Sequence, residues 1–563
     1  MKFVILQAVT LTITFILLPN ASSERYESVY VHWSSELGFQ ATRHPMEGGL
    51  VCATASIDRG LNVTGWHVLH ISTNESCTNE QQAFSAGVGE AVLTYNDIYQ
   101  HWFNTMHGMC DNRKALCQKV QNFLNKNYKW SYKMINKNRK TQPYWYQVEL
   151  FLMQLRGLAA SYQVVQKDEQ KKLTFNDFLT SYDYDDDDDD DFESFLVRGA
   201  KLRGSRSCSG LIKLLPDSSD LYTSHDTWSS FESMWKVLKK YDFHFTILPT
   251  SNDTIPGNSI SFSSYPGEIQ SGDDFYITSA SLVVQETTTG NNNKSLWAYV
   301  KPEGQIMEQI RTMIANRLAT SGKEWSKIFS KYNSGTYNNQ WMIVDYKLFK
   351  KGTPQNQLEN NLLWILEQLP GYVKAADMTD ELRVQTYWPS YNIPYFSEVF
   401  NLSGNNALVR KYGDWFTYDK NPRALMFKRD HVKVKDTISM IALMRYNNYK
   451  YDPLSRCECT PPYSGENAIA ARNDVNPANG TYPFAALGHR SHTATDMKLA
   501  TADLVNTLQM IAVSGPPYSD DLPPFRWSTS DFKDNSHLGQ PDLWEFHPYL
   551  SIWPEDISEN SIL

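Results

Sequence analysis

Beyond Leu18 this sequence has no apolar run near the ~18 residues a membrane-spanning helix needs. It has no G-x-S-x-G elbow, no glycine-rich phosphate loop and no H-E-x-x-H helix. A serine α/β-hydrolase, a P-loop enzyme and a zincin therefore each lack their marker. Glycine-rich cofactor loops and internal repeats of solenoid period are absent too. An excess of charge of one sign is confined to a single segment. The net charge is −9, and Asp183 with Asp185 to Asp191 supplies eight of those negative charges. The remainder is near −1, too little to draw nucleic acid or an anionic membrane. Cysteine is rare as well, and its count of seven is odd.

What is present begins with MKFVILQAVTLTITFILLPNASS, a Lys2 start, an apolar stretch to Leu18 and small residues at Ala21 and Ser23. That pattern predicts a secretory signal peptide over residues 1–23, an uncleaved anchor being the alternative. Six sequons follow, at Asn62, Asn74, Asn252, Asn293, Asn401 and Asn479, as expected of a secreted or lumenal glycoprotein, and no readable address chooses between secretion and the lysosomal lumen. In an oxidising compartment seven cysteines leave one unpaired. Cys110 and Cys117 are close enough in sequence to close a short loop. Cys457 and Cys459 can close a very tight ring, and Cys52 and Cys77 either pair or stay as buried thiols. Cys208 is the natural remainder, whether as a reactive group or as an inert core thiol.

At 563 residues the chain is long enough for one large core or several ordinary domains, and its 41% hydrophobic and 13% aromatic content marks it as globular. Short β-like runs occupy residues 28 to 65. Periodic apolar spacing predicts helices within 81 to 135 and over 143 to 165. Past Cys208 the pattern turns to strands, among them SGLIKLL, LYTSHDTW, FHFTILPT and DFYITSASLVVQETT. A helical stretch around residues 304 to 332 interrupts them. From Trp388 onward Pro, Asn, Asp and Tyr predict a loop-heavy end. Strands in long runs, flanked by long helices without βαβ alternation, point to an α+β fold.

Between these halves lies a block of like charges, then Arg198, Lys201, Arg203 and Arg206, then Cys208. Dense like charge reads as a solvated linker with no catalytic role, and the basic residues are open to proteases. A cut before Cys208 would give it a free α-amine beside its thiol, a nucleophile and a base in one residue. The next twenty residues form a hairpin whose turn is PDSSD. A turn centred on Ser218 places Trp228 opposite Cys208 and Asp226 opposite Gly210, with His225 one residue away. A one-residue slip exchanges the faces, so pattern does not choose between His225 and Asp226. An incidental His-Asp pair on a surface hairpin is the bland alternative. His489 and His492, in GHRSHTATD, suggest a metal only weakly, and no metal or cofactor is expected.

The sequence resembles the phospholipase B-like family, a branch of the N-terminal nucleophile hydrolases. The resemblance lies in CSGLIKLLPDSSDLYTSHDTWSSF, SFSSYPGEIQSGDDFYITSASLVVQETT, YWPSYNIPYF, NPRALMFKRDH, SGENAIAARNDVNP and HLGQPDLWEFHP, in that order over most of the chain. It implies an αββα four-layer sandwich with the nucleophile opening a central strand, and autocatalytic cleavage between Ser207 and Cys208. The organisation that follows is a signal peptide (1–23), an N-terminal hydrolase segment (24–180), a processing linker (181–207) and a C-terminal segment (208–563). The resemblance also makes Asn392, in YNIPYF, the candidate oxyanion donor. His225 is the nearest group to orient the Cys208 terminus, with Asp226 and Trp228 behind it, and Arg423 and Arg429 could supply positive charge. The implied reaction is acyl-ester hydrolysis of glycerophospholipids. An amidase and a non-catalytic lipid-binding glycoprotein are the alternatives. The expected partner is a phospholipid or another acyl substrate, and a homodimer is left open; nucleic acid is not expected.

Overall fold

The structure is a computed structural model that describes residues 13–15, 25–46, 49–181 and 208–554. Most of the expected signal peptide lies outside these residues, as do Ser207 and all of the expected linker but Ser181.

The strands in chain order are Ile13–Phe15 (β1), Tyr26–Ser34 (β2), Gly38–Thr42 (β3), Leu50–Asp58 (β4), His67–Thr73 (β5), Cys208–Leu214 (β6) and Leu221–Ser229 (β7). They continue with Val237–Asp242 (β8), Ser259–Ser264 (β9), Phe275–Thr278 (β10), Leu282–Thr288 (β11), Asn339–Asp345 (β12), Leu363–Leu369 (β13), Tyr372–Asp377 (β14) and Tyr387–Ser390 (β15). Thr493–Ala494 (β16), Asp496–Ala500 (β17) and Ile511–Ser514 (β18) follow. The large sheet runs β1-β3-β2-β4-β5-β8-β9-β10-β11-β12-β13-β14. The smaller one runs β15-β6-β7-β17-β18 and ends at Tyr549–Leu550, with β16 pairing β7 off this path. Hairpin connections make most pairs antiparallel; β5 and β8 are parallel because the helices and β6–β7 intervene.

The helices expected from spacing are Asn79–Met106 (α1), Lys114–Asn138 (α2) and Pro143–Val165 (α3). Thr78 starts α1 with a reciprocal capping box to Gln81, and Pro143 occupies the first turn of α3, where its missing N–H costs nothing. Close contact between α1 and α3 requires glycine. A Cβ on Gly87 would lie 2.0 Å from the Gln154 carbonyl oxygen, and one on Gly157 would lie 2.1 Å from that of Phe84. The 304 to 332 stretch is two helices, Glu308–Leu318 (α4) and Gly322–Phe329 (α5). The C-terminal third is less loop-like than expected, since it holds Pro422–Asp430 (α6), Thr437–Met444 (α7), β17 and β18. The strand expected at FHFTILPT lies earlier, in β8.

Period-two burial assigns each strand face. In β12, Trp341 and Ile343 join the core beneath α1, α3 and α4, whereas Met342 and Val344 join a second core with Ile212, Leu214 and Leu221 of the smaller sheet. On that sheet's other face Leu211, Tyr222, Met497 and Leu499 pack against Met426 and Phe427 of α6 and Met440 and Met444 of α7. Every residue of β6 is buried because both of its faces are covered. The chain is α+β, as predicted.

Among the described residues, no helix is long and apolar enough to cross a membrane. Three disulfides form, Cys110–Cys117 and Cys457–Cys459 as expected and Cys52–Cys77 between the two left open. Cys208 is the free cysteine.

Candidate functional site

Cys208 opens β6 at 2% exposure, and the alternation that sends Ile212 and Leu214 between the sheets sends its side chain there too. The neighbouring position confirms the direction: a Cβ on Gly210 would meet Met342, Thr287 and Gln285 of the large sheet.

The hairpin register differs by one from the expected one. Cys208 pairs with Thr227, Ser209 with Asp226 and Gly210 with His225. The loop is closed by the Leu215 N–H donating to the Asp220 carbonyl, which leaves four residues between and a centre falling between Asp217 and Ser218. Asp217 and Ser218 take the left-handed φ values of 56° and 48° that this short turn demands. His225 thus shares the face of Cys208, and Asp226 and Trp228 point to the helical side. Trp228 is not opposite Cys208. Its ring packs among Ala470, Ala471 and Ala494, with the Arg423 guanidinium 4.3 Å from its centroid.

Two residues hold the Cys208 backbone. Its N–H donates to Asn392 Oδ1 at 3.1 Å, while Asn392 Nδ2 donates to the Thr288 carbonyl at 2.8 Å. Asn392 follows β15, whose Ser390 pairs with Gly210, so the strand direction carries it to the start of β6. It sits at φ 68°, which asparagine tolerates better than most side chains. Arg423, near the start of α6, donates from Nη1 to the Cys208 carbonyl at 2.6 Å and from Nη2 to the Tyr391 carbonyl at 2.8 Å. Arg429 is not brought to this place: it pairs with Asp430 and Asp452, each at 2.7 Å.

Burial pushes the Cys208 thiol well above its ordinary range and the nearby Glu286 carboxylate adds to this; the Trp228 backbone N–H and the Lys498 ammonium act the other way. Burial, then Lys498, keeps the His225 imidazole well below its usual value. Asp226 is pushed up by burial, and neither of its oxygens has a hydrogen-bond partner. The arrangement gathers a buried free thiol, its backbone carbonyl gripped by the Arg423 cation and its backbone amide held by Asn392. His489 and His492 go elsewhere, to the Asn476 carbonyl and to Asn473 with Glu466. No group of three His, Cys, Asp or Glu side chains able to hold a metal occurs among the described residues.

The sequence model of the family described as phospholipase B matches residues 53–551. The chain belongs to the phospholipase B family. It is 46% identical to phospholipase B-like 2 of Homo sapiens over 524 residues, 91% of this chain and 87% of the relative. It is 42% identical to phospholipase B-like 1 of Caenorhabditis elegans over 515 residues, 90% of this chain and 88% of that one. Phospholipase B-like protein B of Dictyostelium discoideum is 36% identical over 528 residues, covering 92% and 88%.

In this phospholipase B family chain, a set of buried charges beside Cys208 lies outside the sequence expectations. Lys236, Asp273, Asp496 and Lys498 are fully buried and mutually paired. Their signal is legible in hindsight: Asp496 and Lys498 stand two apart in a strand that otherwise reads apolar. Asn62, Asn252, Asn401 and Asn479 are exposed, and Asn74 and Asn293 are half-buried.

A second charged group braces the segment behind Trp228. Burial pushes the Glu466 carboxyl up, but Arg490, 3.0 Å away, and His492 outweigh it and hold it at about 2. Because this folded value lies below the ordinary carboxylate range, the stabilisation is complete above that range. It is lost as pH falls through about 4.5 toward 2. Glu466→Gln is expected to lower stability at pH 7 by about 3 kcal/mol and to cost little near pH 2. Urea midpoints of both proteins across that interval check this.

Proposed function

We propose that this protein is a lumenal or secreted acyl hydrolase whose nucleophile is Cys208, freed as a chain terminus by cleavage after Ser207. The single observation that carries the reading is the placement of Cys208. It is the free cysteine of the chain, begins the fully buried strand β6, second in the smaller sheet's order, and has its amide on Asn392 and its carbonyl on Arg423. On this reading the packed layers form the αββα sandwich of the N-terminal nucleophile hydrolases, and residues 1–23, 24–180, 181–207 and 208–563 are the signal, first segment, linker and second segment. The sequons carry glycans.

Maturation follows from the thiol. The Cys208 sulfur adds to the Ser207 carbonyl carbon, the C–N bond breaks, and the nitrogen leaves as an amine carrying the thiol proton. Water then cleaves the thioester, returning the thiol and giving Ser207 a carboxylate. In turnover the amine takes the thiol proton and sulfur attacks the acyl carbon of the substrate. The amine's proton passes to the departing alcohol, and water, deprotonated by the same amine, releases the acid. The free amine starts from a pKa of about 7.7–8.0, and burial lowers it toward a value useful in an acidic lumen.

The test is a reducing gel with N-terminal sequencing after acid incubation, followed by parallel panels of diacyl glycerophospholipids and N-acyl amides. A fragment beginning at Cys208, with fatty acid released from the esters, is expected. Release from amides alone would make it an amidase. Saturable lipid binding without release would leave a binding glycoprotein.

A further inference from the structure

Thr227 stands opposite Cys208, and its polar atoms are held by the β16–β17 segment, with its hydroxyl also donating to the Asp273 carbonyl at 3.5 Å. Its N–H donates to Asp496 Oδ1 at 2.9 Å, and its carbonyl accepts from the Thr495 N–H at 2.7 Å and the Thr495 hydroxyl at 3.2 Å. Its Oγ1 accepts from Lys498 Nζ at 2.6 Å. The same ammonium lies 2.7 Å from Asp496 and 3.5 Å from Asp273, and Lys236 closes the set at 3.1 Å from Asp273 and 2.5 Å from Asp496. Two cations and two anions balance with no water access. Burying four charges is costly, and apolar packing of similar shape often stabilises a fold at least as well. A cluster of this kind beside the Cys208 hairpin therefore calls for a role other than holding the fold.

We propose that Lys498 is a positioning residue for Cys208: it fixes Thr227, the cross-strand partner of Cys208, and sets a fixed positive charge beside the nucleophile. The inference rests on the reading of Cys208 as the nucleophile. The charge has something to oppose. From β11 Glu286 and from the loop before β10 Asp274 both disfavour a thiolate at Cys208. From β7 His225 is held neutral by burial and by Lys498 itself. Arg423 of α6 is engaged with the carbonyl oxygen, and Lys236, just before β8, with the two aspartates. Lys498 is the cation that both touches Thr227 and favours the thiolate. Once the chain is cut, the same charge disfavours an ammonium at Cys208 and keeps the amine a base at lower pH.

The test uses the full-length protein and compares Lys498→Met with Lys236→Met, which removes an equal charge from the same cluster without touching Thr227. The readouts are melting temperature and the pH midpoint of Cys208 alkylation by iodoacetamide in the matured form. Both variants are expected to melt earlier. Lys498→Met is expected to raise the midpoint by about one unit and Lys236→Met by less than half of that. Equal shifts in the two single variants, or a change in melting alone, would overturn the proposal. If Lys498→Met does not fold, Thr227→Val keeps all four charges and removes the contact. It is expected to slow cleavage before Cys208 about tenfold, and cleavage at the wild-type rate would overturn the positioning role. Failure of the underlying reading is separate, because wild type itself would then show no cut at Cys208.

Discussion

Cys208→Ala is expected to remain one piece on a reducing gel and to release no acyl product, while melting close to wild type. The substitution removes one buried sulfur and leaves the backbone contacts in place, since Asn392 takes the amide and Arg423 the carbonyl. The structural cost is therefore small, and any large loss is chemical. Removing a nucleophile that works as part of a unit costs on the order of 10⁶ in rate in a well-studied hydrolase, so the residual signal should be at background. Cys208→Ser keeps a nucleophilic atom and is expected to mature slowly, because a hydroxyl is harder to deprotonate than a thiol. Time courses of fragment appearance for the three proteins separate the cases. A Cys208→Ala chain that is cut at wild-type rate would show that another protease does the cutting. Hydrolysis by that cut variant would remove Cys208 from the chemistry altogether.

How far the sequence led depended on how local each signal is. The spacing of apolar residues located α3 to the residue, and odd cysteine arithmetic singled out Cys208. The hairpin was legible in its two apolar segments and its turn residues. Its register was not, because a four-residue loop and a five-residue loop differ by half a residue in their centre, and side chains alternate with period two. That difference moved Asp226 and Trp228 away from the Cys208 face and brought His225 onto it. The longest-range partners were hardest to see. Asn392 is 184 residues from Cys208 and Arg423 is 215 away, and family resemblance named the first where spacing could not. Lys498, 271 residues from Thr227, carries no motif at all. A strand with two buried charges two residues apart is the only local trace of that network.

Asn392 separates two roles that its position allows. Its oxygen already accepts from the Cys208 nitrogen, the atom that would become the amine on the proposed cleavage, and one of its amide hydrogens is taken by the Thr288 carbonyl. One N–H remains for an oxyanion. Asn392→Ala removes acceptor and donor together and adds backbone strain at φ 68°. It is expected to lower kcat by about 10²–10³, the usual loss for one oxyanion donor, with KM changed little. Asn392→Asp keeps the shape and the acceptor, loses the donor and sets a carboxylate 3.1 Å from the amine position. An opposite charge at that distance favours the protonated amine, so the acid limb of the pH–rate profile should move up by about 1–3 units. If stabilising the oxyanion is the larger task, the two variants fall equally at high pH. If holding the amine is the larger task, Asn392→Asp recovers most of its kcat above that shifted limb and Asn392→Ala does not. The plateau at high pH therefore decides between them, and the resemblance-derived donor role stands only if both plateaus fall together.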